Sequence, residues 1–362
     1  MFVGITNTPR DYEWGPNGVI SDLLGFEASG APEAELWLGA HPGSPSRVVG
    51  STDTLLDVVD GRLPFLLKVL AAGSPLSLQA HPTMAQAEEG FARENALGIP
   101  LDAPHRNYKD AFHKPELIFA LSDEFDALCG FRPADAIRRD LADWFDPGLV
   151  APMADRLVGD ESLRSVFEWL ITRGDGVDEL VAGISAAAGG STPALATVAL
   201  LADAYPGDPG IVISLMLNRV TLGKGEALYL PAGNIHAYLS GLGIELMASS
   251  DNVLRGGLTP KHIDVPELLS VLDFRPLPVP YLEPGHPALD VLDFRPAGAQ
   301  FALLVIEGDY STPLGGPAIA LCLDGEFTLN GTTRLERGSA VYIADEPRLT
   351  ITGTGRLVLA IT

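Results

Sequence analysis

The segment KVLAAGSPLSLQAHP, residues 68–82, places an amide and an imidazole two residues apart, at Gln79 and His81. The apolar residues on either side of its Gly-Ser-Pro turn predict two short strands. Alternate residues of a strand project from the same face, so both side chains can reach one metal ion. The sequence therefore predicts a metal site built on a β-strand.

Two glycine-led motifs surround this candidate site. The first reads G-x5-Q-x-H from Gly73 to His81, and the second reads G-x5-P-x-G-x2-H from Gly225 to His236. These spacings resemble the paired metal motifs of the cupin β-barrel, with Gln79 standing where many cupins have histidine. Between them, NYKDAFHKPEL contains Glu116, which would supply a carboxylate. Metal ligands are therefore expected from three separate parts of the chain.

A wider set of segments makes the sequence similar to the type I mannose-6-phosphate isomerases, a zinc-dependent aldose–ketose isomerase family. The segments are QAHP, HKPEL, GNIHAYLSG and SDNVLRGGLTPK, which occur in that order. The resemblance covers about residues 7–275 with specific motifs, and the remaining residues only in their strand-rich character. It implies reversible interconversion of D-mannose 6-phosphate and D-fructose 6-phosphate through a cis-enediolate.

The predicted ligand set combines two imidazoles, one carboxylate and one amide. Zinc accepts histidine nitrogen and carboxylate oxygen readily, although manganese or iron would also tolerate these ligands. An aldose–ketose isomerisation needs a Lewis acid and no electron transfer, which favours one Zn²⁺ ion per chain. The expected ligands are Gln79, His81, Glu116 and His236.

The resemblance also implies residues that act on the sugar. Arg255, in DNVLRGGLTPK, matches the position that the family treats as catalytic, where a guanidinium stabilises developing negative charge. Lys114 could polarise a sugar oxygen, and Glu245 and Asp251 are candidate proton carriers. The sequence does not decide which of these residues transfers the proton between C1 and C2.

A phosphate group would need a local positive potential on this acidic chain, whose formal net charge is −23. The sequence has only five lysines, and those in the motif segments include Lys68, Lys114 and Lys261. Ser77 falls on the same predicted strand face as Gln79. We therefore predict that Ser77, Lys68 and Lys261 bind the phosphate.

The remaining histidines and the cysteines are given structural interpretations. His41, followed by Pro-Gly, is interpreted as a turn residue, and His113 as a neighbour of the site without a ligand role. His105 and His262 are expected to face solvent. Cys129 and Cys322 lack metal-binding or disulfide spacing and are expected to be small buried residues.

The acidic net charge argues against nucleic acids and anionic membranes as partners. Apolar runs are too short for a membrane span, and the N-terminal residues lack the pattern of a secretory signal. We therefore expect a cytoplasmic protein that binds a small sugar phosphate, with no obligate protein partner evident.

The predicted architecture is mainly β with an α-helical insertion, comprising two cupin-type β-barrels (a bicupin) and a helical subdomain. Residues 1–132 and 206–275 are expected to form the catalytic metal-binding cupin domain, and residues 133–205 the helical insertion. A proline-rich linker at residues 276–284 then leads into short strands with Asp-Gly and Asn-Gly turns. Residues 276–362 are therefore expected to form a degenerate, metal-free cupin domain.

Apolar periodicity predicts four helices between residues 134 and 205, and another beginning after Thr83 and ending near Gly98. The β-branched run IVISLMLNRVTL, residues 211–222, is predicted to return to strand.

Three alternatives remain open at this point. A redox cupin with iron would use a similar site, although it would usually present His-x-His or two histidines and a carboxylate. A sugar-binding bicupin without enzymatic activity would explain the barrels but would leave Arg255 and the ligand set without a purpose. A third possibility is another metal-dependent sugar-phosphate isomerase.

Overall fold

The computed structural model of the chain describes residues 1–190 and 192–362. Strands predominate in this part of the chain, and most of the helices lie in one run between two strands. The strands are Phe2–Thr6 (β1), Glu35–Leu38 (β2), Arg47–Val48 (β3), Phe65–Ala72 (β4), Leu78–Ala80 (β5), Glu116–Ala120 (β6), Glu124–Phe131 (β7), Leu217–Gly223 (β8), Ala227–Leu230 (β9), His236–Ala248 (β10), Leu254–Gly257 (β11), Gly285–Ala288 (β12), Val291–Phe294 (β13), Ala302–Ile306 (β14), Tyr310–Pro313 (β15), Ala318–Leu329 (β16), Thr333–Glu336 (β17), Ala340–Ile343 (β18) and Arg348–Ile361 (β19). The helices are Val19–Leu24 (α1), Leu55–Val58 (α2), Met84–Ala96 (α3), Ala134–Trp144 (α4), Pro147–Ala154 (α5), Leu163–Ile171 (α6), Val177–Ala187 (α7), Pro193–Ala204 (α8), Gly210–Ile213 (α9) and Val265–Val271 (α10).

Strand β10 organises the first sheet. It pairs with β5 and β7 near its start and with β4 and β6 along its second half, and β2, β8, β9 and β11 complete the sheet. The pairing passes from β7 to β4 at Gly241, where φ is 124° and a Cβ would lie 2.8 Å from Phe125 Cα. A residue with a side chain would be strained there and would clash. Glycine therefore lets one long strand contribute to both halves of the sheet.

The helix predicted after Thr83 is confirmed as α3. The Thr83 side chain accepts a hydrogen bond from Gln86 N, and the Gln86 side chain caps the Thr83 backbone in return. This reciprocal arrangement is a capping box, which satisfies amide groups that the first helical turn leaves free. Gly98, with φ of 70°, follows the last residues of the helix.

The four helices predicted between residues 134 and 205 are confirmed as α4, α6, α7 and α8. Helix α5 was not predicted; Asp146 caps its first turn by accepting hydrogen bonds from Gly148 N and Leu149 N. The apolar faces of helices α4 to α8 pack against strands β5, β7 and β10 in one buried cluster. Within the described residues, none of the helices has the length and apolar character of a membrane-spanning segment.

The strand predicted from residue 211 is wrong over its first six residues. Residues 210–213 form α9 and residues 214–216 form a 3-10 turn, so β8 begins only at Leu217. Pro209 has helical backbone angles, and the Asp208 side chain accepts a hydrogen bond from Gly210 N at 2.7 Å. This local capping starts a helical turn, and burial of the apolar side chains outweighs their intrinsic strand preference.

The second sheet joins residues from both ends of the chain. Its strands β12 to β19 come from residues 285–361, but β1 pairs with β18 and β3 pairs with β1. Residues 2–6 and 47–48 therefore lie in the sheet of the C-terminal strands, although they fall within residues 1–132, which are predicted to belong to the first domain. Residues 276–284, all of which are described, form no helix or strand. Their one element of regular structure is an isolated β-bridge from Tyr281 to Leu228 of β9.

The two sheets share a buried hydrophobic cluster. Phe119 on β6 and Phe294 on β13 meet there with ring centroids 5.4 Å apart. Leu246 on β10 and Leu321 on β16 belong to the same cluster. Apolar burial is the dominant favourable contribution to folding, so this contact stabilises the two sheets against each other.

Candidate active site

Three side chains of types that can bind metal converge where strands of the first sheet begin or end. His81 directly follows β5, Glu116 begins β6 and His236 begins β10, and all three are buried. Glu116 Oε2 lies 3.3 Å from His81 Nε2 and 3.1 Å from His236 Nε2. One ligand atom from each residue lies within 4.8 Å of the others. The three predicted ligands are thus brought together by residues far apart in sequence.

The hydrogen bonds of the two histidines define which nitrogen faces the cluster. His81 Nδ1 lies 2.8 Å from the backbone oxygen of Asn252, and His236 Nδ1 lies 3.0 Å from that of Asn234. A carbonyl oxygen can only accept, so each Nδ1 carries the proton and each Nε2 presents a lone pair. Burial lowers the pKa of His81 to about 4, which keeps its imidazole neutral near pH 7.

The cluster consequently consists of acceptors that face one another. His81 Nε2 is completely buried and has no hydrogen-bond partner among the described residues. Two lone-pair nitrogens and a carboxylate oxygen repel each other unless a cation lies between them, because burial removes the solvent that would screen them. The arrangement fits a divalent metal, and backbone carbonyls that hold the distal ring nitrogens are typical of zinc-binding histidines.

Gln79 lies beside these residues in the sheet. It is opposite His236 in the pairing of β5 with β10 and opposite Arg255 in the pairing of β5 with β11. One atom of its amide group lies 3.3 Å from His236 Nε2. The amide therefore lies within reach of the same centre, next to the three clustered ligands.

Lys114 adds a positive charge to the cluster. Its Nζ lies 2.8 Å from Glu116 Oε1, and both side chains are buried. Burial acts to raise the pKa of Glu116, but the nearby ammonium group of Lys114 holds that pKa well below its usual range. Glu116 is therefore a carboxylate, as a metal ligand must be.

Lys68, which is predicted to bind the phosphate, lies between the carboxylates of Glu245 and Glu35. Its Nζ is 2.9 Å from Glu245 Oε2 and 3.4 Å from Glu35 Oε1, and it lies over the ring of Trp37. No contact joins it to Ser77 or Lys261 in the described part of the chain. The two carboxylates raise the pKa of Lys68 against the effect of burial. The prediction missed this contact because it depends on the pairing of β4 with β10.

Glu245 is also contacted by Tyr238, whose hydroxyl donates a hydrogen bond to Oε1 at 3.0 Å. Burial raises the pKa of Glu245, and the nearby carboxylates of Glu116 and Glu35 act in the same direction, against Lys68. Tyr238 and Glu35 were not predicted from the sequence as site residues. The alternation along β10 places Tyr238 two residues from His236, which is the signal that could have indicated it.

A positively charged region lies around Arg255, together with Ser77 and Lys261. Arg255 Nη1 donates a hydrogen bond to Ser77 Oγ at 3.0 Å. The charge of Arg255, followed by burial, lowers the pKa of Lys261, and burial lowers the pKa of Arg255. Neither cation forms an ion pair with a carboxylate of residues 1–190 or 192–362. Two neighbouring cations without a counterion favour an anionic ligand.

Asp251 and His41 form a pair at the exposed side of the site. His41 Nδ1 accepts a hydrogen bond from Gly43 N, so Nε2 carries the ring proton. Nε2 donates a hydrogen bond to Asp251 Oδ1, which lies 3.2 Å away. The Asp251 side chain is 52% exposed, whereas His41 is buried. The turn interpretation of His41 is confirmed by the Ser44 N to His41 O hydrogen bond. Its contact with Asp251 was not foreseen.

The exposure expected of His105 and His262 and the burial expected of the two cysteines are confirmed. His105 and His262 are exposed, with ring centroids 6.5 Å apart. Cys129 and Cys322 are both buried free thiols. His113 is half-buried, and burial lowers its pKa.

The fold and the site define a mainly β protein with a buried metal-binding centre. Residues 2–134 match the family model of the catalytic domain of type I phosphomannose isomerase. The chain is 38% identical to the mannose-6-phosphate isomerase of Salmonella typhimurium, across 98% of this chain and 97% of that protein. It is 33% identical to the human mannose-6-phosphate isomerase, across 92% and 91% of the two chains. The chain belongs to the type I mannose-6-phosphate isomerase family.

Solved structures agree with this assignment. A zinc-bound crystal structure of mannose 6-phosphate isomerase aligns with a TM-score of 0.90 and 37% identity, covering 100% of this chain and 99% of that one. The Salmonella typhimurium structure bound to fructose 6-phosphate and zinc aligns with a TM-score of 0.91, 37% identity and the same coverage.

Proposed function

We propose that the chain catalyses the reversible isomerisation of D-mannose 6-phosphate and D-fructose 6-phosphate. The observation that carries this proposal is the buried cluster of His81, Glu116 and His236, whose acceptor atoms require a cation. Membership of the mannose-6-phosphate isomerase family supports the substrate, because a relative has been crystallised with fructose 6-phosphate and zinc. A metal centre near the cations of Arg255 and Lys261 suits a phosphorylated sugar.

The proposed metal is one Zn²⁺ ion, held by His81, Glu116, His236 and Gln79. The donor set fits zinc, which binds histidine nitrogen and carboxylate oxygen. Zinc supplies a Lewis acid without redox chemistry, which stabilises negative charge that develops on a sugar oxygen. The protein keeps the two imidazoles in the required tautomer through the backbone carbonyls of residues 252 and 234.

The phosphate is proposed to bind near Lys261 and Ser77. The ammonium group supplies charge and the hydroxyl supplies a hydrogen-bond donor, and both lie next to Arg255. Lys68 has a different role in this proposal, because its ammonium group already contacts Glu245 and Glu35. It holds Glu245 in place within the buried network.

The proposed chemistry is a proton transfer between neighbouring carbons of the open-chain sugar. A base takes the proton from C2 of the aldose. The electrons of that C–H bond form the C1–C2 double bond, while the π electrons of the C1=O bond move to O1, which gives a cis-enediolate. Return of a proton to C1, with O1 protonated and O2 deprotonated so that the C2=O bond forms, gives the ketose. The guanidinium of Arg255 stabilises the negative charge, and Lys114 polarises a sugar oxygen. Glu245, with its raised pKa, and Asp251 are the proposed proton carriers.

The architecture that supports this site is proposed to be a bicupin with a helical insertion. The first sheet, which carries the ligands, corresponds to a catalytic barrel of residues 1–132 and 206–275, without its strands β1 and β3. Helices α4 to α8 are inserted between β7 and β8. The sheet of residues 285–361 is proposed as the second, metal-free barrel, which supports the first through their shared core.

A coupled assay that follows fructose 6-phosphate formation from mannose 6-phosphate tests the proposal. The purified chain loaded with zinc should turn over the substrate, lose activity on chelation and regain it when zinc is restored. Unphosphorylated mannose should be a much poorer substrate. A zinc-loaded, folded chain without isomerase activity on mannose 6-phosphate would contradict the proposed function.

A further inference from the structure

Asn252 joins the metal centre to a neighbouring loop. It lies between β10 and β11 and is completely buried. Its backbone carbonyl accepts the hydrogen bond from His81 Nδ1 at 2.8 Å. The position of this one carbonyl therefore sets the tautomer and the ring orientation of His81.

The side chain of Asn252 is fully engaged with residues 109–112. Its Oδ1 accepts hydrogen bonds from Lys109 N at 2.7 Å and Asp110 N at 3.3 Å. Its Nδ2 donates to the backbone oxygens of Asp110 and Phe112, each at 2.8 Å. An asparagine amide offers two donor hydrogens and one acceptor oxygen, so this loop uses the whole group. Residues 109–112 lead directly into Lys114 and Glu116.

Further hydrogen bonds fasten the same turn. Asn252 N donates to Ser250 Oγ at 3.3 Å, and Ser250 Oγ donates to Asp110 Oδ1 at 2.9 Å. Asp251 N donates to Asp110 Oδ2 at 2.9 Å. The backbone at residue 252 is therefore held on two sides, by its own side chain and by Ser250.

We infer that Asn252 is a positioning residue that couples His81 to the segment carrying Lys114 and Glu116. Its carbonyl orients one ligand, and its amide holds the loop that places another ligand and its ammonium partner. Loss of the amide would let both ligands shift, although Asn252 itself does not touch the metal. The inference rests on the proposed zinc site.

The test compares Asn252→Ala and Asn252→Asp with Asn107→Ala. Asn107 is a matched control, because its side chain also fastens this region, through Asp264 at 2.8 Å, without contact to His81. Zinc affinity is measured by competition with a chelator, and cobalt-substituted protein is examined by visible absorption. Both Asn252 variants should bind zinc about 10- to 100-fold more weakly and show a changed cobalt spectrum, as expected when the partner of a metal ligand is disturbed. Asn107→Ala should retain both properties.

The outcomes separate this inference from the proposed function. If the unaltered protein binds no zinc, the metal site itself is wrong. If the unaltered protein binds zinc and folded Asn252 variants have its affinity and cobalt spectrum, only the role of Asn252 is wrong. Should both variants fail to fold, Ser250→Ala takes their place. It removes the hydroxyl that accepts from Asn252 N and donates to residues 110 and 112, and it leaves the Asn252 side chain intact. It must weaken zinc binding more than Asn107→Ala, and equal affinities would overturn the inference.

Discussion

Lys68 and Glu245 lie directly opposite each other on β4 and β10, and their side chains form a buried ion pair with Nζ 2.9 Å from Oε2. Glu35, on the other side of β4, contacts the same ammonium group at 3.4 Å. One lysine thus balances two carboxylates next to the metal-binding cluster. Because burial deprives all three groups of solvent, each depends on its partners.

The first prediction concerns this ion pair. Lys68→Met should lower the free energy of unfolding by about 3–5 kcal/mol, because it leaves buried carboxylates without a counterion. Denaturant titration of the metal-free protein would measure the loss. Lys224→Met is the control, since Lys224 is exposed and should change stability by less than about 0.5 kcal/mol. If the Lys68→Met protein keeps its stability while its KM for the phosphorylated sugar rises, Lys68 binds the phosphate and the ion-pair role is wrong.

A second prediction concerns the ligands. His81→Ala and Glu116→Ala should each lose bound zinc together with activity, because three remaining ligands hold the ion less well against solvent. Zinc content after dialysis, measured by atomic absorption, provides the test. His105→Ala, at an exposed position, should retain full occupancy. Full occupancy in either ligand variant would show that the assignment is wrong.

The third prediction separates chemistry from binding at Arg255. If the guanidinium acts on charge that develops in the enediolate, Arg255→Ala should lower kcat and kcat/KM together by about 10²- to 10³-fold, with little change in KM. Arg255→Lys should recover only part of the rate, because lysine lacks the planar guanidinium group. Zinc content should be unchanged in both. An intact kcat with a steep rise in KM would place Arg255 on the phosphate and move catalysis to Lys114 or Glu245.

The fourth prediction concerns Lys261 and Ser77. Lys261→Ala and Ser77→Ala should raise KM for mannose 6-phosphate and leave zinc content unchanged. Stability of Lys261→Ala should stay within about 0.5 kcal/mol of the unaltered protein, because the exposed lysine is repelled by Arg255 and lacks a carboxylate partner in the described part of the chain. Steady-state kinetics with Lys224→Ala as control would check this. An unchanged KM in both variants would show that Lys261 and Ser77 do not bind the phosphate.

A fifth prediction concerns the two thiols. Burial raises the pKa of Cys129 to about 12, and burial is also the main cause that raises the pKa of Cys322 to about 11. Thiolates are the reactive form, so neither thiol should react with a disulfide reagent at pH 8 in the folded protein. Both should react after denaturation. Rapid reaction of either thiol in the native state would show that its surroundings are more open than the structure indicates.

Local patterns predicted much of the site and the helices. The motifs around Gln79, His81, Glu116 and His236 indicated residues that the structure brings together, and apolar periodicity found most of the helices in the region of residues 134–205. Each motif and each helix depends on spacing within its own segment, and the resemblance to a known family joined the separate motifs into one ligand set. The contact of Lys68 with Glu245 could not be predicted in this way, because 177 residues separate the partners and only the register of β4 and β10 joins them.

The pairing of β1 with β18 has a consequence for how the chain is made. A ribosome completes residues 2–6 long before it completes their partner strand, residues 340–343. During most of translation β1 is therefore an unpaired strand edge, open to association with other nascent chains. Closure of the second sheet is a long-range event that must wait for residues 340–343, and long-range pairing folds slowly. Chaperones that shield the first residues should therefore matter more to the yield of this protein than to its final stability.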